Sequence, residues 1–120
     1  MEAKIERHLE EYVENSALRL KAEKLVIDCG IPAKLKGFDF IVDAVMLFGK
    51  VKLRGYQCIY GSIARLHGIS SKAVNRDIGY ALKKSYDLHI RLSELVGLNF
   101  PQSEIHSSLV IGYLARLLMQ

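Results

Sequence analysis

Apolar residues recur three and four positions apart along most of the chain, the period of an amphipathic helix, and they nowhere alternate convincingly as strands require. The first segment, 3–14, sets Ile5, Leu9, Tyr12 and Val13 on one face among many charges. A second, 17–28, carries the stripe Leu18, Ala22, Leu25, Val26 and Cys29. Between them, Asn15 and Ser16 either cap a new helix or lie inside a continuous one. Gly30 supplies a left-handed stop and Pro32 blocks continuation. The pattern of 38–48 places Phe38, Ile41, Val42, Val45 and Met46 inward, with Gly49 closing the helix. In the basic connection 50–55, Val51 and Leu53 alternate weakly, enough only for a short strand.

Further helices are predicted over 56–67, 71–86 and 87–96, followed by a turn around Pro101. Ser103 is the predicted cap of a last helix, 104–118, with Glu104 at its positive end. Its stripe is Ile105, Leu109, Tyr113, Leu114, Leu117 and Leu118. The fold class is all-α, about six helices, with an N-terminal helical extension over 1–16 and one domain over 17–120.

The stretch IARLHGISSKAVNRDIGYALKK, 63–84, breaks and restarts. Ile63 faces a core, and the small Ala64 lets two helix axes approach. Gly68 ends the first helix because the chain needs a positive φ there. Ile69 is expected to plug the gap between the helices, and Ser70 or Ser71 to cap the second. With Val74, Ile78, Ala81 and Leu82 inward, Ser71, Lys72, Asn75, Arg76, Gly79, Tyr80 and Lys83 fall outward. Ala-x-x-x-Gly-Ile-Ser followed by Val74 and Ile78 is the pattern of a DNA-binding helix-turn-helix, winged-helix-like architectures included. Arg matches guanine and Asn matches adenine by paired hydrogen bonds, whereas Ser and Lys hold phosphates. A plain helical hairpin with a polar outer face is the bland alternative.

Charge sharpens this reading. The net charge is +4, and the balance by segment is −2 over 1–29, +3 over 30–54, +4 over 55–86 and −1 over 87–120. Positive charge thus gathers around the broken stretch, which suits a polyanion. Half of the 120 residues are apolar, enough for a real core. Cys29 and Cys58 form no CxxC and read as buried thiols of a reducing cytoplasm. The charged N-terminus has no secretory h-region, and no apolar run is long enough for a membrane span. His8, His67, His89 and His106 form no metal-ligating spacing. Asp39 and Asp43, four apart, read as a solvated edge rather than an acid–base pair.

GIPAKLKGF, 30–38, resembles the GIPAHIKGY signature of the C-terminal effector domain of the master sporulation response regulator of endospore-forming bacteria. Tyr60, Ile63, Ala64, Val74, Arg76, Ile78 and Ala81 match that domain's Y-x-x-I-A … V-x-R-x-I-x-x-A. PQSEI, 101–105, is similar to the start of its last helix. The resemblance implies a six-helix DNA-binding domain whose fifth helix reads a promoter element, and it assigns Arg76 a base or adjacent phosphate role. The family's other recognition residues fall on Ala73, Asn75 and Gly79, so its DNA sequence preference is not carried over. A receiver domain does not precede the effector in this sequence, so control by an aspartyl phosphate on it is not expected.

The expected function is a non-enzymatic, sequence-specific transcription regulator of a bacterial cytoplasm, with double-stranded DNA as partner. Base readers are Lys72, Asn75, Arg76 and Tyr80. Phosphate contacts are Ser70, Ser71, Arg65, Lys83, Lys84, Lys34, Lys36 and Arg54. No cofactor, metal, small-molecule ligand or membrane is expected. A homodimer through the N-terminal or C-terminal helix fits proteins that read two half-sites. The rival reading is a protein–protein interaction module on the same fold that has lost DNA, a reading fed by Gly79.

Overall fold

The computed structural model describes residues 15–50 and 56–120, with side chains described for 15–48 and 59–120. The predicted helix 3–14, Val51, Leu53, Arg54 and the side chain of Cys58 lie outside that range. The described residues form six α-helices, a 3-10 turn and no strand. The helices are α1 (Ser16–Asp28), α2 (Lys36–Lys50), α3 (Tyr56–His67), α4 (Ser71–Lys83), α5 (Leu88–Val96) and α6 (Ser107–Leu118).

Asn15 settles the first ambiguity. Its backbone is extended and its Oδ1 accepts from the Leu18 N–H at 3.0 Å, so it caps a new helix. At the other end Gly30 takes φ +84°, the left-handed stop read from the sequence.

α2 is the hub, packing against α1, α3, α4 and α6. The predicted inward residues Phe38, Ile41, Val42, Val45 and Met46 are buried, and so are Phe40, Ala44 and Leu47 on the remaining faces. A helix that is apolar nearly all round is covered nearly all round. It also runs past Gly49 to Lys50, because glycine inside a helix costs only about 1 kcal/mol. Ala22 and Val26 of α1, Cys29 just past its end, and Val110, Ile111, Leu114, Ala115 and Leu118 of α6 complete this core with α3 and α4.

The last helix departs from expectation. Gln102–Glu104 form a single 3-10 turn, Ile105 and His106 are extended, and α6 begins at Ser107. The cap is His106, whose Nδ1 accepts from the Leu109 N–H at 3.3 Å, and not Ser103. Glu104 therefore sits before a break in the helix. The helix predicted over 71–86 is also shorter. It ends at Lys83, and Asp87 turns the chain with φ +51° before α5 starts at Leu88.

Candidate nucleic-acid interface

The nonapeptide 30–38 makes the seat of α4. Gly37 is buried, and a Cβ added there would lie 2.0 Å from the Asp77 carbonyl oxygen and 2.7 Å from the Ala81 Cβ. Backbone of α2 thus rests directly on backbone of α4, which only glycine permits. Gly30 does the same past the end of α4. Its carbonyl accepts from the Tyr86 N–H at 3.0 Å, and a Cβ would meet the Tyr86 carbonyl at 2.3 Å.

The broken stretch is a helix, a tight turn and a helix. Ile63 is fully buried and Ala64 nearly so. Gly68 takes φ +66°, and the Ile69 N–H donates to the Ala64 carbonyl at 3.0 Å, a Schellman closure. Ser70 is the cap of α4, its Oγ accepting from the Ala73 N–H at 3.1 Å. Ile69 is 38% exposed and does not plug the gap. Once Gly68 has reversed the chain, the next side chain leaves the hairpin.

Within α4, Val74, Ile78 and Ala81 are fully buried and Leu82 packs on the core. Ser71, Lys72, Asn75, Arg76, Gly79, Tyr80 and Lys83 are all exposed. Tyr80 is 52% exposed, with the Lys84 ammonium 5.6 Å from its ring centroid. The Arg76 side chain is 74% exposed, and its Nε lies 3.4 Å from Asp77 Oδ1, a solvent-screened contact that leaves its outer fork free to reach. Lys34, Lys36, Arg65 and Lys84 are exposed as well.

Sequence reasoning missed one cluster. Asp43, expected on a solvated edge, is 2% exposed. Its Oδ1 accepts from Arg19 Nη1 of α1 at 2.6 Å, and its Oδ2 pairs with His67 Nε2 at the end of α3 at 2.7 Å. Asp39, one turn away, stays exposed and 3.8 Å from Arg19, and Glu23 lies 3.4 Å from it. Burial alone would lower the Arg19 pKa. The hydrogen bond and charge of Asp43, with Asp39 and Glu23 behind it, outweigh burial and raise it. The His67 ring also packs edge-on against Phe40, centroids 4.9 Å apart. Both partners of Asp43 are 24 residues away, beyond any local spacing rule.

Cys29 is a buried free thiol, and burial, with Asp28 adding to it, pushes its pKa up to about 12. Among the described residues no group of His, Cys, Asp and Glu could hold a metal, and no helix is long and apolar enough to cross a membrane.

An all-α domain with this hairpin and this signature falls into a class of DNA-binding effector domains of transcription regulators. Its family is the one described as sporulation initiation factor Spo0A C terminal, whose model matches residues 22–111, and the chain belongs to it. No curated protein and no solved structure matches the chain.

Proposed function

We propose that the protein is a sequence-specific DNA-binding regulator that seats the N-terminal half of α4 in the major groove. The observation that carries this reading is the partition of α4: its apolar stripe is buried while Lys72, Asn75, Arg76 and Tyr80 all stand exposed on the other side. Arg76 and Asn75 are the base readers, by guanine and adenine edges respectively, with Lys72 and Tyr80 beside them. Ser70, Ser71 and the helix N-terminus fix the phosphate register, and Lys34, Lys36, Arg54, Arg65, Lys83 and Lys84 add backbone contacts. Two copies, paired through the N-terminal segment or α6, would read half-sites one helical turn apart. A second reading, a protein-interaction module without DNA, is favoured by Gly79, which leaves the middle of the outer face without a side chain.

Selection from a random duplex library, followed by fluorescence anisotropy across a salt series, separates the two. The expected result is an enriched motif, bound with a steep salt slope, on which Arg76→Ala loses about 1–3 kcal/mol and discrimination. Equal affinity of wild type and Arg76→Ala for enriched and random duplexes would refute the role of Arg76. Absence of binding at low salt would leave the protein-interaction reading.

A further inference from the structure

The assignment of residues to DNA does not use the Arg19–Asp43–His67 cluster. Asp43 holds three helices at one point: α1 through Arg19, its own α2, and the last residue of α3 through His67. His67 is immediately followed by Gly68. From there the chain crosses Gly68, Ile69 and Ser70, all exposed, before α4 begins. The bonds that close this turn, Ile69 N–H to Ala64 and Ser70 Oγ to Ala73, are internal to the hairpin. The seat at Gly37 touches α4 at Asp77 and Ala81, in its second half. The first half, where Lys72, Asn75 and Arg76 stand, lies between the turn and that seat, with Val74 fully buried in it. His67, bonded to Asp43, is thus a polar anchor just before the start of α4.

We infer that His67, held by Asp43 and Arg19, is a positioning residue that sets the pose of the N-terminal half of α4 and thereby the discrimination between DNA sequences. The inference rests on the DNA-reading conclusion above. A buried carboxylate with two directional partners is a poor source of net stability, because desolvating the charges offsets most of their attraction. What it supplies is direction. An apolar contact at the same place would allow the end of α3 to slide and rotate, whereas the 2.7 Å bond from His67 to Asp43, itself held by Arg19 at 2.6 Å, fixes it. A shift of the turn moves the side chains of Asn75 and Arg76 off the paired geometry their bases require. Phosphate contacts tolerate the same shift, because lysines reach flexibly.

The test uses the full chain with His67→Ala and His67→Gln, the latter retaining an N–H donor toward Asp43. Affinities are measured by anisotropy for the duplex enriched by the wild type and for a scrambled duplex of equal length. Each variant is assayed below its own melting midpoint, with its circular dichroism recorded. Loss of folded fraction lowers both affinities by one factor and leaves their ratio unchanged. Mispositioning lowers the ratio. The expected result is a ratio about tenfold lower in His67→Ala, the equivalent of one misaligned paired base contact, with recovery in His67→Gln. An unchanged ratio in His67→Ala, or a common fall in both affinities, overturns the inference. A wild type that enriches no duplex overturns the DNA reading itself, and the positioning role with it.

Discussion

Replacing Gly37 with Ala adds a single carbon at the contact between α2 and α4. That carbon would sit 2.0 Å from the Asp77 carbonyl oxygen, 2.7 Å from the Asp77 carbonyl carbon and 2.7 Å from the Ala81 Cβ. Ordinary carbon contacts lie near 3.5–4.0 Å, so the two helices must separate by roughly 1–1.5 Å. The nearest atom belongs to backbone, and no rotamer change relieves it. Overpacking of this kind costs about 1–3 kcal/mol, and a backbone clash belongs at the upper end. For a chain of this size that corresponds to a fall of about 10 °C in melting temperature. The assay is a thermal melt followed by circular dichroism. Gly79→Ala on the same helix is the control. A Cβ there meets nothing within 4 Å, and the change should raise stability by about 0.5–1 kcal/mol through helix propensity. If Gly37→Ala melts within about 2 °C of wild type, the close approach of α2 and α4 is not what the signature's second glycine serves.

Arg19→Ala leaves Asp43 buried with His67 as its remaining partner and should cost about 3 kcal/mol, measured by urea unfolding. Cys29 titrates higher in the folded chain than in the unfolded one, so its contribution to stability is complete below pH 9 and is lost as pH rises toward about 12. Stability should fall across that window by up to about 1.4 kcal/mol per pH unit, a slope that Cys29→Ala removes in alkaline denaturation. If about six phosphates are contacted, affinity for the enriched duplex should fall by about three orders of magnitude between about 50 and 200 mM salt. A flat salt dependence would remove the basic face from the binding surface.

The helices with a clear inner stripe were legible before any coordinates. α1, α3 and α4 bury residues that the periodicity named, since period and burial have one cause. The hairpin was legible for the same reason, with Gly68 and Ser70 marking its turn by backbone chemistry. Ends were less legible. The tail of the 71–86 pattern kept helical spacing through Leu82, but Asp87 in the left-handed region and the Tyr86–Gly30 bond redirect the chain sooner. Ser103 and Glu104 looked like a helix start, and a 3-10 turn used them first, leaving the cap to His106. Asp43 was illegible altogether. A carboxylate on an apolar helix reads as surface until Arg19 and His67, each far along the chain, arrive to hold it.

The central place of α2 has a consequence for how the domain folds. α1, α3, α4 and α6 all pack on that one helix. Each of them buries part of its stripe against α2, so folding should be a single cooperative event with α2 in the nucleus. The α3–α4 hairpin, excised alone, would leave Ile63, Val74 and Ile78 in water and would not keep its shape. The exposed face of α4 and the core are one object here, and the hairpin has no life of its own as a detachable module.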